Sequence, residues 1–255
     1  MQLKQVKALI TGGVSGLGLA VARKFVASGG QVTLIDLNDE AGARVVAELG
    51  AAARYLKADV SNEAAVQEAV AAAATGMGGL NVAVNCAGII GAGRVLGREA
   101  PMPLDFFSKV IQVNLVGSFN VIKAAGAAME RNAPNADGER GVIINTASVA
   151  AYEGQVGQAA YSASKAGIVG LTLPVAREFT RIGVRVMTIA PGIFWTPMVD
   201  GMPEPVQQSL AASIPFPPRL GRPEEYAELA AHIVENGYLN GETIRLDGAV
   251  RLQPK

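Results

Sequence analysis

The chain has 255 residues, half of them apolar, with 22 basic and 22 acidic side chains and a formal net charge of zero. That length can bury a sizeable core, and the balanced charge lacks the basic footprint of a nucleic-acid binder. A single cysteine, Cys86, excludes an internal disulfide and a cysteine zinc cluster, and a multi-histidine site or a Ser-His-Asp triad would have to rest on His232 alone.

The pattern alternates short β-rich apolar runs with helical stretches. Strands are expected at 6–11, 31–36, 53–58, 80–85, 141–147, 183–190 and 242–246, and helices at 17–27, 39–49, 63–74, 104–129, 159–181 and 224–236. Asn62 suits a helix N-cap, and Gly50 and Gly183 suit helix stops. The strands are apolar almost throughout, as in a sheet covered on both faces. Strands alternating with helices imply right-handed βαβ units and a parallel sheet. The expected fold is therefore α/β: one Rossmann-like, doubly wound domain over 1–255. Residues 69–93 carry no charge, but Gly76, Gly78, Gly79 and Gly88 interrupt them and Asn81 and Asn85 lie among them. A membrane span would bury those amides in lipid. The expectation is a helix end, a turn and a strand in a cytoplasmic protein without membrane or nucleic-acid partners. Residues 132–140 are polar and suit a surface connection. Residues 191–223 hold eight prolines, with Phe194, Trp195, Met198, Met202 and Phe216 between them. This composition suits an apolar lid over a substrate.

Thr11-Gly12-Gly13-Val14-Ser15-Gly16-Leu17-Gly18 joins the first strand to the first helix. Glycines there permit a tight turn and a close approach of backbone to a pyrophosphate at a helix N-terminus. The second strand ends on Asp36, eighteen residues after Gly18, where a carboxylate can accept both hydroxyls of an adenosine ribose and repel a 2′-phosphate. Leu37 follows, so no adjacent arginine stands ready to receive that phosphate.

Tyr161 and Lys165 are four apart in a helical stretch and share one face. A phenol titrates near ~10 in water, and a neighbouring ammonium favours the phenolate. Ser148 lies thirteen residues before Tyr161, just past a strand end, where open α/β sheets bind ligands.

Through these positions the chain resembles the short-chain dehydrogenase/reductase family over nearly its full length. The matching pieces are the TGxxxGxG turn, Asp59-Val60, Asn85-Cys86-Ala87-Gly88, Asn114, Ser148, Tyr161-x-x-x-Lys165 and Pro191-Gly192, in family order. Cys86 departs from the usual Asn-Asn-Ala-Gly and is read as a small buried residue. The resemblance implies a tetrad of Asn114, Ser148, Tyr161 and Lys165. In it Tyr161 exchanges a proton with the substrate hydroxyl and Ser148 bonds the same oxygen. Lys165 lowers the Tyr161 pKa and holds the nicotinamide ribose, and Asn114 holds a relay water. It also implies NAD as cofactor on Gly12, Ser15, Gly16, Leu17, Gly18, Asp36, Asn85, Tyr161 and Lys165. Asp59 and Val60 would meet adenine, Ala87 and Gly88 the ribose, and Ile189, Pro191, Gly192 and Thr196 the nicotinamide end. No metal is expected.

A narrower resemblance, carried by 141–165, 184–191, 215–221 and 239–247, is to the type 2 3-hydroxyacyl-CoA dehydrogenases within that family. It implies NAD-dependent oxidation of (S)-3-hydroxyacyl-CoA, with substrate contacts from Ser148, Gln155, Gln158 and Tyr161. Trp195 is expected to shrink the acyl pocket towards short or branched chains, or else to pack the lid. Fatty acid metabolism and a homotetramer are further expectations. Alternatives are a dehydrogenase of steroids or other secondary alcohols, a 3-oxoacyl-carrier-protein reductase, or a non-catalytic dinucleotide-binding module. Arg94 and Arg98 are solvated loop charges or contacts for a CoA phosphate.

Overall fold

The computed structural model describes residues 1–200 and 203–254. Seven strands form one parallel sheet: β1 (Lys7–Thr11), β2 (Gln31–Asp36), β3 (Ala53–Lys57), β4 (Val82–Asn85), β5 (Gly141–Thr146), β6 (Val184–Pro191) and β7 (Thr243–Leu246). Their spatial order is β3-β2-β1-β4-β5-β6-β7. The direction of winding reverses between β1 and β4, which opens a crevice at the carboxyl ends of the strands.

Successive strand residues feed opposite faces. Ala8 and Ile10 join the layer beneath α1 (Gly16–Ala27), α2 (Asp39–Leu49) and α9 (Pro223–Glu235), whereas Leu9 joins the opposite layer. That second layer lies beneath α3 (Glu63–Met77), α5 (Gly117–Met129) and α6 (Ala159–Phe179). Both faces are therefore covered, and every residue of β4 and β6 is buried. The Asn62 side chain caps α3 by accepting from Ala65 N at 3.1 Å. Gly78 and Gly183 stop the chain with φ of +65° and +66°, conformations open to glycine.

Two stretches differ from expectation. Residues 104–129 are not one regular helix: α4 (Leu104–Ile111) and α5 flank a π turn at Gln112–Val116. The bulge carries Asn114, whose side chain is committed to neighbouring segments. Leu104–Met129 is long and apolar enough to cross a membrane, but half of its most apolar window is buried among α3, α6 and the sheet. Residues 191–223 are also more regular than their prolines suggest, since α7 (Pro197–Asp200) and α8 (Glu204–Ala212) form within them. Pro205 falls in the first turn of α8, where a missing N–H costs nothing. Met202 and the Met198 side chain lie outside what is described.

Candidate active site

The carboxyl ends of the strands border one cleft of about 740 Å³. One end is lined by Gly12, Ser15, Gly16, Leu17, Gly18, Asp36, Asp59, Val60, Ala87 and Gly88, the other by Ser148, Gln155, Gln158, Tyr161, Lys165, Pro191, Gly192 and Thr196.

The glycine turn leaves no room for side chains. Gly12 and Gly16 have φ of +62° and +50°. A Cβ on Gly12 would sit 2.9 Å from Ala87 N, and one on Gly18 would sit 2.3 Å from Gly12 O. Ser15 precedes α1 without a side-chain cap, so the first amides of α1 receive no acceptor from that side chain. Asp36 ends β2 with Oδ1 accepting from Leu37 N at 2.8 Å and Asn38 N at 3.2 Å. Asp59 accepts from Ser61 Oγ at 2.6 Å and Ser61 N at 2.9 Å, bonds that hold its carboxyl below the usual range. Gly88 continues the cradle: a Cβ there would lie 3.1 Å from Asn114 Oδ1 and 3.7 Å from Lys165 Nζ. A bare backbone turn at a helix N-terminus with a fixed carboxylate beside it fits a dinucleotide.

At the other end, Ser148 follows β5 and its Oγ accepts from Ala150 N at 3.1 Å. Lys165 is buried, with Nζ donating to Thr146 O at 2.8 Å and lying 5.7 Å from the centre of the Tyr161 ring. Burial pushes the Lys165 ammonium down to about 8. Burial also raises the Tyr161 phenol, against a hydrogen bond from Ser148. In this arrangement Ser148 is the group that opposes the burial of the phenol. The lysine proton is directed to the strand carbonyl, and desolvation dominates both side chains.

Three further site residues differ from their expected placement. Asn114 is fully buried behind the cleft. Its Oδ1 accepts from Ile89 N at 2.8 Å, and its Nδ2 donates to Ile89 O and Ser164 Oγ, each at 3.0 Å. It clamps the segment after Gly88 and leaves none of its side chain to the cleft. Asn85 is also absent from the lining; its Nδ2 donates to Asn145 Oδ1 at 2.9 Å. Strand alternation turns it towards α5, so it joins strand ends within the core. Trp195 points away from the cleft into a second pocket of about 400 Å³, beside Gln208, Arg219 and Arg222. The backbone explains this: Trp195 N donates to Gly221 O at 2.7 Å, and the neighbouring Phe194 takes the inward position.

Gln155 and Gln158 do line the cleft, but they also hold the loop. Gln158 Oε1 accepts from Gln155 N at 3.0 Å, and Gln155 Nε2 donates to Gln253 O at 3.0 Å. Arg94 and Arg98 are exposed and do not line the cleft. The His232 ring lies 3.3 Å from Asn236 Nδ2 on α9. Among the described residues no cluster of His, Cys, Asp and Glu could hold a metal ion.

The sequence reading missed Thr146 and Tyr226. Tyr226 OH lies 2.7 Å from Thr146 Oγ1, which donates to Cys86 Sγ at 3.5 Å. Burial pushes the Cys86 thiol up, which makes it a poor nucleophile. Only the position of Thr146 at a strand end offered a signal in the sequence. Together the cleft offers a phenol, a hydroxyl and a buried ammonium at one end, and a glycine turn that fits a dinucleotide at the other.

A family model for the short chain dehydrogenases matches residues 6–207. The chain is 53% identical over 254 residues to the 3-hydroxyacyl-CoA dehydrogenase type-2 of Bos taurus, covering 99% of this chain and 97% of that one. The protein of the same name from Homo sapiens matches with the same identity and coverage. The crystal structure of 3-hydroxyacyl-CoA dehydrogenase type-2 from Mycobacterium avium superposes with a TM-score of 0.95 at 42% identity, over 99% of this chain and 98% of that one.

Proposed function

The chain belongs to the short-chain dehydrogenase family and is an oxidoreductase, and from that premise we propose that it oxidises (S)-3-hydroxyacyl-CoA to 3-oxoacyl-CoA, reversibly, with NAD. The observation that carries this reading is the shared cleft. The glycine turn and Asp36 border one end of it and Ser148, Tyr161 and Lys165 the other, in a chain half identical along its length to enzymes of that name.

In this reading the Tyr161 phenolate removes the proton of the 3-hydroxyl, and the phenol returns it in the reverse direction. Ser148 donates to the same oxygen and fixes its distance from the ring. The Lys165 ammonium stabilises the phenolate, and Thr146 O orients that ammonium. Asn114 holds the Ile89 backbone from both sides and so supports Gly88 against the cofactor. When bound, the nicotinamide supplies the redox chemistry by accepting the hydrogen and electron pair released from the carbinol carbon. Asp36 favours NAD over NADP, because a 2′-phosphate would meet a like charge at contact distance. CoA offers binding energy far from the reacting carbon, which can orient the hydroxyl towards Tyr161. A cytoplasmic homotetramer acting in fatty acid metabolism is part of the same proposal.

The test is NADH formation from a 3-hydroxyacyl-CoA, the matching free 3-hydroxy acid and a hydroxysteroid. The thioester is expected to give the highest kcat/KM, and NADP to serve less well than NAD. If removing CoA leaves kcat/KM unchanged, a general secondary-alcohol dehydrogenase replaces this reading.

A further inference from the structure

Beyond β7 the chain turns back sharply over the cleft. Gly248 and Ala249 have φ of +57° and +66°, and Asp247 Oδ1 holds the turn by accepting from Ala249 N at 2.9 Å. A Cβ on Gly248 would sit 2.6 Å from Ile214 Cγ2, so the turn is seated directly against the end of the lid. Val250 is fully buried in an apolar cluster with Val199, Ile214 and Leu220 of the lid, and Leu252 packs on the same cluster. The strap also grips the loop between Ser148 and Tyr161. Gln155 Nε2 donates to Gln253 O and Val156 N to Pro254 O, each at 3.0 Å. Glu153 reinforces that side, pairing with Arg245 at 2.7 Å and Arg251 at 3.4 Å. One short tail thus joins two walls of the cleft. Of the tail residues described, Leu252 is the one that lines the cleft, which Gln155 and Leu210 also line; Leu252 and Leu210 pack on the same cluster.

We propose that Leu252 is the specificity-determining residue for acyl chain length and that Gln155 is a positioning residue that holds the strap carrying it. The inference rests on the acyl-CoA reading above. It replaces Trp195, which points elsewhere, as the residue limiting the pocket, and it commits the Gln155 amide donor to the tail instead of the thioester. A branched C4 side chain in the cleft lining excludes methylenes by occupying their volume. Removing it opens space that a longer chain can fill, each methylene gained being worth roughly ten-fold or more in kcat/KM.

The experiment measures kcat/KM for short-, medium- and long-chain 3-hydroxyacyl-CoA with the full-length wild type, Leu252→Ala, Leu252→Phe and Gln155→Ala, alongside melting curves and NAD dissociation constants. Leu252→Ala is expected to raise the long-over-short ratio by roughly ten-fold and Leu252→Phe to lower it, with NAD affinity unchanged in both. Gln155→Ala is expected to raise KM for the thioester more than it lowers kcat, because it frees the strap without touching the reacting atoms. An unchanged ratio in both folded Leu252 variants overturns the specificity role. A fall in kcat at constant KM in Gln155→Ala overturns the positioning role. A wild type that turns over no 3-hydroxyacyl-CoA of any length overturns the functional reading itself, a result separate from either of these.

Discussion

Lys165 sits buried with its ammonium pushed down to about 8 by desolvation, from an ordinary 10.5. The sign of the linkage follows from which state binds more protons. Below pH 8 both folded and unfolded chains carry the charge, and the full penalty of burying it weighs on the fold. Between pH 8 and 10.5 the folded chain has released a proton that the unfolded chain retains, so stability rises with pH. Above 10.5 the penalty is gone. Lys165→Met removes the titration. Its stability relative to wild type should therefore be greatest below pH 8 and fall by up to a few kcal/mol as pH rises to 10.5; denaturant unfolding at several pH values checks this. A pH-independent difference would place the perturbed charge elsewhere. The same variant should lose turnover, since the ammonium stabilises the phenolate. Tyr161→Phe isolates the proton transfer. Turnover should drop by at least ~10²-fold, the usual floor for a positioned acid or base, while NAD still binds. Near-normal turnover would sink the assignment of Tyr161.

The element scale explains what was legible beforehand. Strand β2 and helix α2 begin and end where the pattern of apolar residues and Gly50 set them, and the Asn38 side chain caps α2. The glycine turn was legible because close backbone approach demands particular residues, and a variant can test it. Gly18→Ala would set a Cβ 2.3 Å from the Gly12 carbonyl, a backbone atom that cannot swing aside. The turn must open, so dinucleotide affinity measured by titration should fall by at least ~10-fold, about 1.4 kcal/mol. An unchanged affinity would remove the turn from the cofactor site. Tyr161 and Lys165 were readable because helical spacing fixes a shared face. Asn85 and Trp195 were not, because adjacent residues on extended chain face opposite ways and partners from distant segments decide their orientation. The π turn in 104–129 was hidden for the same reason: it serves bonds from Asn114 to Ile89 and Ser164 across 25 and 50 residues of sequence. Leu252 lies far along the chain from Tyr161, and only the strap brings it to the cleft.

At the scale of the whole molecule, the helices on one side of the sheet carry apolar groups that this single chain leaves in water. Leu104 and Phe106 on α4, Phe119 on α5 and Leu173 on α6 are all exposed, Leu104 at 75% and Phe119 at 47%. Their helices pack together, α4 against α6 and α5 against the π turn. Burying what remains exposed on each would add a fraction of the roughly 1.5–3 kcal/mol that a fully exposed side chain gains on burial. Apolar surface grouped in this way suits a self-complementary contact about a two-fold axis, in which each copy covers the other. The proposed tetramer places α4, α5 and α6 across one such axis. Light scattering at working concentration should return four times the chain mass of 26.2 kDa. A monomeric mass would reject the assembly. Phe119→Glu is the sharper probe. A carboxylate at that position would be buried without a partner in the assembly but solvated in the free chain, so the cost falls on association and not on folding. The variant should therefore scatter as a smaller species while its single-chain fold survives. If Phe119→Glu keeps the wild-type mass, the α4–α6 face is not the contact, and the two-fold must lie elsewhere on the molecule.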